Sequence, residues 1–393
     1  MNHVNVLIIG AGAAGLMCAA EAARRGRSVL VLDQAAKAGN KIRMSGGGRC
    51  NFTNYDVGPQ HYLCHNPHFV KSALSRFTQW DFLALVERYA IPWHEREHGQ
   101  LFCNDSSKDI LDMLLAECRE AGASLQLKTT IERVERSGEG GFVLHSSRGV
   151  YRCESLVIAT GGLSIPSMGS SPFGYRIAEQ FGIPVWPPSA GLVPFTLHAK
   201  DKALLAPLAG IAVDAQVQTG GQAFRENLLF THRGLSGPVI LQASNYWQPG
   251  QTLLIDWLPG EEVVALIEQA RQHHPKQQLK TLLGQSLPAR LVAVLLDEAL
   301  LSTPLAQLGH KALAEIETQL QHWSILPNAT EGYRTAEVTR GGVDCDAISS
   351  KTMEATAQPG LYFIGEVLDV SGWLGGYNLQ WAWSSGWCAG QYV

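Results

Sequence analysis

The sequence predicts an α/β fold in which one domain, built on a parallel sheet, is interrupted by an inserted β-rich domain and a small helical domain. Three observations predict it. A buried-strand run, Val6–Ile9, passes directly into a glycine turn and an alanine-rich helix that ends near Gly26. Two more apolar strands, at 156–158 and 361–364, also end in glycine turns. Between these two strands lies a long stretch with a different pattern.

The first strand runs into Gly-x-Gly-x-x-Gly, formed by Gly10, Gly12 and Gly15. The first glycine permits a tight turn, the second lets backbone amides approach a pyrophosphate, and the third permits close packing of helix on strand. A second strand, 28–32, ends in Asp33, about twenty residues beyond the glycines, where an acid can accept hydrogen bonds from an adenosine ribose. This Rossmann-like arrangement predicts dinucleotide binding, and by itself it leaves FAD and NAD equally possible.

Strand ends widely separated in sequence are expected to meet. In open α/β sheets ligands bind beyond the carboxyl ends of the strands, so the three glycine turns can line one crevice. The cofactor domain is therefore predicted to be discontinuous, with segments 1–188 and 337–393.

The intervening stretch is predicted to form an insert. A proline-rich connection at 184–194 precedes it. The β-rich part comprises 189–260 and 322–336, with short strands expected at 211–219, 223–230, 238–243 and 252–257. A helical subdomain is expected at 261–321, with apolar residues at helical spacing at 263–270, 291–301 and 312–320.

Composition narrows the class of protein. A chain of 393 residues exceeds the usual size of a single core, so two or three domains are expected. The net charge of −4 gives no reason to expect nucleic acid or an anionic membrane as a partner, although a local basic patch remains compatible with it. Eight scattered cysteines without a Cys-x-x-Cys pair argue against structural zinc and a disulfide framework. With no signal peptide or apolar span expected, the cytoplasm is the predicted location.

Two further segments have the composition of cofactor loops. The run 41–54 combines three glycines with cations and small polar residues, so it can approach a long phosphate-containing cofactor closely, or it is a mobile surface loop. Near the C-terminus, Gly375 and Gly376 precede an apolar helix expected to begin around Asn378. A helix N-terminus there would stabilise negative charge on a reduced flavin, and its tryptophans would also form a packed core.

Six ordered blocks together resemble the BaiN/YhiN-type family of FAD-dependent oxidoreductases. They are GAGAAG, KIRMSGGGRCNFTN, IATGG, FTHRGLSGP, EGYRTAEVTRGGVD and GLYFIGEVLDVSGWLGGYNLQWAWSSG. The resemblance covers essentially the whole chain. It implies a split FAD-binding Rossmann-like domain of the two-dinucleotide-binding type, with an inserted β-rich domain and a helical domain, and it implies FAD in the first site.

The matching positions imply cofactor contacts from several segments. For the ADP half they are Gly10, Gly12, Ala14, Gly15 and Asp33. Along the path of the cofactor they are Lys41, Ser45, Gly46, Gly47, Gly48, Arg49, Cys50, Asn51, Ala159, Thr160, Gly161 and Gly162. For ribitol and flavin they are Gly365, Glu366, Asp369, Gly375, Gly376, Tyr377, Asn378 and Leu379. Related flavoproteins usually have Gly-Asp where this chain has Gly365-Glu366, so Asp369 is an alternative ribitol ligand. The segment 130–134, with Ile131, is a candidate edge for the adenine.

Candidate substrate-side residues lie in the insert. His232 and Arg233 place a titratable imidazole and a fixed cation in a glycine turn, which could bind an anionic or carbonyl group and transfer a proton, or could be a structural turn. Cys50 beside Arg49 is either a small packing residue, which we favour, or a redox thiol. His273 and His274 are expected to be a solvated helix end, and no metal site is predicted.

The predicted function is hydride transfer between flavin N5 and a small organic substrate. The resemblance implies NADH or NADPH as a transient electron donor. No second dinucleotide fingerprint is found, so an amine or other small-molecule oxidase that passes electrons to oxygen is an alternative. A third hypothesis is a flavin-dependent binding or regulatory protein that recognises RNA, against which the acidic balance counts. No membrane association is expected, and the oligomeric state is left open.

Overall fold

A computed structural model describes residues 2–138 and 140–393, and the chain divides into two compact units. Unit 1 consists of Met1–Ala190 and Glu337–Val393, and unit 2 of Gly191–Ala336. Unit 1 is thus discontinuous in sequence.

The elements of the first part of the chain belong to unit 1, except for Gly191, the last residue of β11, with which unit 2 begins. The strands are β1 (Asn2–Ile9), β2 (Val29–Leu32), β3 (Asn51–Asn54), β4 (Tyr62–Leu63), β5 (Trp93–Arg96), β6 (Gln100–Cys103), β7 (Ser124–Gln126), β8 (Ile131–Arg136), β9 (Phe142–Ser146), β10 (Gly149–Ile158) and β11 (Val185–Gly191). The helices are α1 (Ala13–Arg24), α2 (Asn40–Met44), α3 (Val70–Arg76), α4 (Gln79–Arg88), α5 (Ser107–Ala121) and α6 (Phe173–Gln180).

The remaining elements complete both units. Unit 2 contains the strands β12 (Phe195–Leu197), β13 (Ala212–Thr219), β14 (Gln222–Phe230), β15 (Gly234–Ser236), β16 (Leu253–Asp256), β17 (Trp323–Ile325) and β18 (Pro327–Thr330). Its helices are α7 (Ala199–Leu205), α8 (Pro238–Ser244), α9 (Val263–His273), α10 (Leu279–Leu283), α11 (Ala289–Leu295), α12 (Glu298–Leu301) and α13 (His310–Gln321). Unit 1 resumes with β19 (Val338–Val343), β20 (Leu361–Phe363), β21 (Ser371–Gly372) and α14 (Tyr377–Gly390).

The main sheet of unit 1 has the strand order β7-β2-β1-β10-β9-β8, with β20 also paired to β10. Strands β7, β2, β1, β10 and β20 are parallel, whereas β9 and β8 form an antiparallel extension. The long strand β10 pairs through 149–153 with β9 and through 156–158 with β20. A segment from near the C-terminus therefore enters a sheet that begins at the N-terminus.

The register places the strand ends at one edge. Ile9 lies opposite both Leu32 and Ile158, and Ile158 lies opposite Phe363. The predicted β1, β2, β10 and β20 strands are confirmed, and so is the expectation that their carboxyl ends meet. The Gly10 turn, Asp33, the 159–162 turn and Gly365 follow directly at this edge.

Helices α1 and α14 pack closely because both carry small residues. A Cβ added at Gly386 would lie 2.5 Å from the Ala14 carbonyl oxygen, and one at Gly390 would lie 3.2 Å from the Cys18 carbonyl oxygen. On α14, Trp383 is fully buried, and its indole N–H donates to the Phe52 carbonyl at 2.8 Å. The C-terminal helix is thus fixed against both α1 and β3.

Unit 2 is built on an antiparallel sheet with the order β17-β16-β13-β14-β15-β12-β18. Strands expected near 211–219, 223–230 and 252–257 are confirmed, and the helices expected at 263–270 and 312–320 are confirmed as parts of α9 and α13. The single helix expected at 291–301 is wrong, because the extended backbone of Leu296 divides it into α11 and α12, and α10 is a further helix that was not predicted. The strand expected at 238–243 is wrong, because α8 occupies it. Gly237, with φ 89°, ends the preceding strand, and Pro238 occupies the first helical turn, where its fixed φ suits a helix and its missing N–H costs nothing.

Candidate functional site

The glycine turn after β1 has the geometry that its sequence predicts. Gly10 has φ 116°, and a Cβ added there would lie 2.2 Å from the Ala159 carbonyl oxygen. A Cβ at Gly15 would lie 1.9 Å from the Gly10 carbonyl oxygen. At Gly12, the N-cap of α1, an added Cβ would meet nothing within 4 Å. The outer glycines are therefore required by the fold, whereas Gly12 leaves open space at a helix N-terminus.

Asp33 connects the end of β2 to this turn. Its Oδ2 accepts from Ala11 N–H and its Oδ1 from Ala35 N–H, both at 2.7 Å. The backbone of Asp33 in turn accepts from Thr129 N–H at 2.9 Å, two residues before Ile131. The structure thus brings the predicted ribose acid and the predicted adenine edge together.

A cluster of polar side chains lies where the 159–162 turn meets the C-terminal segment. Lys41 Nζ donates to Glu366 Oε2 and to Ser164 Oγ, both at 2.6 Å. Glu366 Oε1 accepts from Thr339 N–H at 3.0 Å and from Ser164 Oγ at 3.2 Å. A Cβ at Gly162 would lie 2.9 Å from Glu366 Oε1. Lys41 and Glu366, both predicted to contact the cofactor, are paired with each other, and their contacts with FAD stay predictions.

The loop that follows α2 contains three consecutive glycines in the left-handed backbone conformation. Gly46, Gly47 and Gly48 have φ values of 57°, 65° and 88°. Cβ atoms added at Gly47 and Gly48 would meet nothing within 4 Å, and the Arg49 side chain is exposed. Cys50 is fully buried, and burial raises the pKa of its thiol to about 12, which supports the packing interpretation.

The N-terminus of α14 lies against β3. A Cβ at Gly376, the N-cap, would lie 2.4 Å from the Thr53 carbonyl oxygen. Asn54 Nδ2 donates to the Gly375 carbonyl at 2.9 Å. Asn378 closes the preceding loop, because its side chain accepts from Gly372 N–H at 2.8 Å. Sequence reasoning missed Asn54, whose role depends on pairing across more than three hundred residues.

These residues fit FAD. The open backbone at Gly12 suits a pyrophosphate, and the open glycines 47 and 48 lie on the loop that leads to β3 and the α14 N-terminus. The turn after β10 contains Thr160 Oγ1, a buried hydroxyl oxygen with no hydrogen-bond partner among the described residues. Gly365, with φ 71°, places the C-terminal segment against Ala14, where an added Cβ would lie 2.9 Å from the Ala14 Cβ. The roles of individual residues as FAD ligands stay predictions.

The structure also reveals a group that the sequence did not indicate. His65 bonds through Nδ1 to Asp369 Oδ2 at 2.7 Å, and its ring stacks on Trp186 with centroids 3.7 Å apart and planes 3° apart. Neither His65 nor Trp186 belongs to a recognisable motif. Asp369 is the alternative ribitol ligand of the sequence analysis; its Oδ2 accepts from His65, and its contact with ribitol stays a prediction.

The candidate substrate-side residues lie in unit 2. His232 and Arg233 are exposed in the turn between β14 and β15, where Arg233 forms an ion pair with Glu331 at 3.3 Å. Backbone N–H groups of Arg233 and Gly234 donate to Thr231 Oγ1. The turn is well ordered by its own hydrogen bonds, and the catalytic role of the two side chains stays a prediction.

Metal sites, disulfides and membrane-spanning helices were also sought among the described residues. No group of three His, Cys, Asp or Glu side chains there could hold a metal ion. All eight cysteines are free thiols. Within residues 2–138 and 140–393, no helix is long and apolar enough to cross a membrane.

A glycine-lined sheet edge of this kind defines a Rossmann-type dinucleotide-binding site. Residues 4–392 match the model of the HI0933-like protein Rossmann domain, so the chain belongs to this family. The resemblance found in the sequence is confirmed, and the protein is an FAD-dependent oxidoreductase.

Three relatives match across the chain. The ribosomal RNA dihydrouridine synthase of Escherichia coli K12 is 53% identical over 393 residues, which cover 100% of this chain and 98% of the relative. The protein of the same name from Haemophilus influenzae is 53% identical, with 96% of each chain covered. The 3-dehydro-bile acid delta(4,6)-reductase of Clostridium scindens is 28% identical over 410 residues, which cover 100% of this chain and 98% of the relative.

Proposed function

We propose that this protein reduces a uridine base in ribosomal RNA to dihydrouridine. The observation that carries the proposal is the 53% identity, over nearly the full length of both chains, to two relatives named ribosomal RNA dihydrouridine synthase. The proposal replaces the expected small organic substrate with a base in an RNA chain. It also replaces the expectation that nucleic acid is not a partner.

The chemistry suits a flavin site. The C5=C6 bond of uracil is conjugated with the C4 carbonyl, so its reduction needs a hydride at C6 and a proton at C5. Reduced FAD supplies the hydride when it is bound. The protein must hold the base in a fixed geometry, exclude water and provide the proton.

Unit 1 supplies groups suited to holding the cofactor. The α1 N-terminus and open Gly12 suit the pyrophosphate, and Asp33, whose Oδ2 accepts from Ala11 N–H, is the proposed ribose ligand. The paired Lys41 and Glu366 are fixed by Ser164 and Thr339, so their positions are set before any ligand binds. Preorganised groups lose little entropy when the ligand arrives.

The charge of the chain constrains how RNA would bind. With a net charge of −4, long-range attraction to phosphate is weak, and binding must rest on local cations and on contacts with the target base. An enzyme that acts on a base must also take it out of its stack. We therefore expect a requirement for the local RNA structure around the target, and weak binding to unrelated RNA.

NADH or NADPH is proposed as the electron donor. The sequence carries a single strand-linked glycine fingerprint, at Gly10–Gly15, which we assign to FAD. The donor would then bind only transiently. Anaerobic addition of NADH or NADPH to the holoprotein should bleach the flavin absorbance rapidly. The oxidase hypothesis would be supported if both nucleotides bleached the flavin slowly and if flavin that had been reduced by an amine were reoxidised rapidly by oxygen.

The test of the proposed function uses ribosomal RNA transcribed in vitro, which lacks dihydrouridine. We incubate it with holoprotein and NADH or NADPH, digest it with a nuclease and analyse the fragments by mass spectrometry. The expected result is a mass gain of two hydrogens confined to one fragment. Bleaching of the flavin without any mass gain would contradict the proposal, and the matched control is a transcript of equal length and unrelated sequence.

A second candidate function rests on the bile-acid relative. Its name describes reduction of a carbon–carbon double bond in a small molecule, and it covers the whole of this chain at 28% identity. If reduced holoprotein is reoxidised anaerobically by a steroid enone and not by ribosomal RNA, the small-molecule function is supported. Salt-sensitive RNA binding without turnover of any reductant would instead favour the regulatory hypothesis.

A further inference from the structure

His65 and Asp369 form a fixed pair in unit 1. The Asp369 side chain is 5% exposed, and its Oδ2 accepts two hydrogen bonds from His65, from the backbone N–H at 2.9 Å and from Nδ1 at 2.7 Å. The Asp369 backbone N–H donates to the Val343 carbonyl at 2.9 Å. Asp369 is thus fixed through both its backbone and its buried carboxylate, and the carboxylate sets the orientation of the imidazole.

The other side of the imidazole is accessible. The His65 side chain is 53% exposed, and no residue that the structure describes hydrogen-bonds to its Nε2. The ring lies parallel to Trp186 at a centroid distance of 3.7 Å. Because Nδ1 is committed to Asp369, a protonated His65 carries its available proton on Nε2. The arrangement resembles a carboxylate–imidazole pair that holds a histidine in one tautomer for proton transfer.

The position of the pair connects it with the flavin half of the site. Asp369 lies in the segment between Gly365 and Gly375, both of which are predicted cofactor residues. Next to it, β21 pairs with β4, with Ser371 opposite Leu63. The strand that ends two residues before His65 is therefore fixed to the segment that leads into the α14 N-terminus.

We propose that His65, positioned by Asp369, is the general acid that protonates C5 of the uracil ring. The inference rests on the proposed function. A hydride adds to C6, the electron pair of the C5=C6 bond moves to C5 and the C4 carbonyl, and the Nε2–H bond of the imidazolium breaks as C5 takes the proton. The imidazole is left neutral and regains a proton from water. The base gains one hydride and one proton in total, so atoms and electrons balance.

The acid must be protonated to act. Other titratable groups lie near the pair. Asp369 accepts a hydrogen bond from the ring, and the charge of Asp344 acts on Asp369. The Cys345 thiol contacts Cys64, and burial raises the pKa of this thiol. Trp186 carries no charge.

The experiment compares His65→Gln with His232→Gln and with a control, His68→Gln, which replaces an exposed histidine three residues away. In anaerobic stopped flow, His65→Gln should leave reduction of the flavin by NADH or NADPH unchanged and should slow its reoxidation by ribosomal RNA by about 10²- to 10⁴-fold. Wild-type behaviour of His65→Gln, or a loss confined to His232→Gln, would overturn the inference.

A second measurement does not depend on turnover. In NMR spectra of the oxidised holoprotein, the neutral His65 ring should be protonated at Nδ1, and Asp369→Ala should shift the ring towards the Nε2–H tautomer because Nδ1–H loses its acceptor. An unchanged tautomer would contradict the positioning role of Asp369. If wild-type protein forms no dihydrouridine although its flavin is reduced normally, the proposed function itself fails, and that result is distinct from an active His65→Gln variant.

Discussion

The glycine turn Gly10–Gly15 and the cluster of Lys41, Ser164, Thr339 and Glu366 lie at the same edge of the sheet, but they are encoded differently. The turn is local, and its geometry depends on the absence of side chains: Cβ atoms at two of its glycines would lie about 2 Å from backbone oxygens. The cluster depends on groups from four distant segments, the side chains of Lys41, Ser164 and Glu366 and the backbone N–H of Thr339, joined by hydrogen bonds of 2.6 to 3.2 Å. A short motif can therefore specify the turn, whereas only the folded chain specifies the cluster.

Among the substitutions that test this comparison, Gly15→Ala in the glycine turn is expected to have the largest effect. The added Cβ would lie 1.9 Å from the Gly10 carbonyl oxygen, so β1 and α1 would have to separate. We expect destabilisation by about 3 kcal/mol or more and loss of bound FAD. Thermal unfolding followed by circular dichroism, together with the flavin-to-protein absorbance ratio, measures both. A variant that retains FAD and full stability would show that the close approach is not needed.

Gly12→Ala should affect the binding of FAD without affecting the fold. The added Cβ meets no protein atom within 4 Å, and φ is −90°, so the fold should be retained. If a pyrophosphate contacts this backbone, affinity for FAD should fall about tenfold or more, which equals about 1.4 kcal/mol. The matched control is Gly309→Ala, another helix N-cap with φ −81° and nothing within 4 Å. Equal FAD affinity in the two variants would argue against the pyrophosphate assignment.

A smaller effect is expected from breaking the cluster with Lys41→Met. Glu366 would lose its cationic partner while its side chain remains 19% exposed, so we expect a loss of about 1–3 kcal/mol in the free energy of unfolding. Lys71→Met on α3 is the control, because Lys71 is exposed. Urea unfolding of the two variants tests this. The comparison between turn and cluster would fail if Lys41→Met were as stable as Lys71→Met.

The smallest effect is expected from Cys50→Ala. Because burial raises the thiol pKa to about 12, the thiolate is negligible from pH 7 to 9 and would appear only as pH rises toward 12. The variant should keep its turnover and its pH profile in this range, and Cys50 in the folded protein should resist alkylation. Loss of turnover with an intact fold would restore the redox-thiol alternative.

The sequence predicted those parts of the molecule that depend on local pattern. Strand β1, its glycines, Asp33 and the start of α14 all follow from periodicity and turn chemistry. The segment 238–243 was mistaken for a strand, because a short apolar run has no decisive period and the helix-start signal of Gly237 and Pro238 was missed. The family resemblance, now confirmed, supplied the identity of the cofactor.

What sequence reasoning missed depends on contacts between distant segments. Trp186, His65 and Asp369 come from three separate parts of the chain, and no spacing relates them. The pairing of Lys41 with Glu366 was missed for the same reason, although both residues had been selected individually. Net charge also gave no sign of the RNA substrate that we propose, because a sum over the chain says nothing about local cations.

The central claim is that the reduced flavin of this protein delivers its electrons to a uridine in ribosomal RNA. The most direct measurement is an anaerobic single turnover, in which holoprotein reduced to the stoichiometric point is mixed with ribosomal RNA transcript. We expect the yellow flavin absorbance to return, with one dihydrouridine formed for each flavin reoxidised. Flavin that stays bleached in the presence of the transcript, or that is reoxidised without any mass gain in the RNA, would contradict the account.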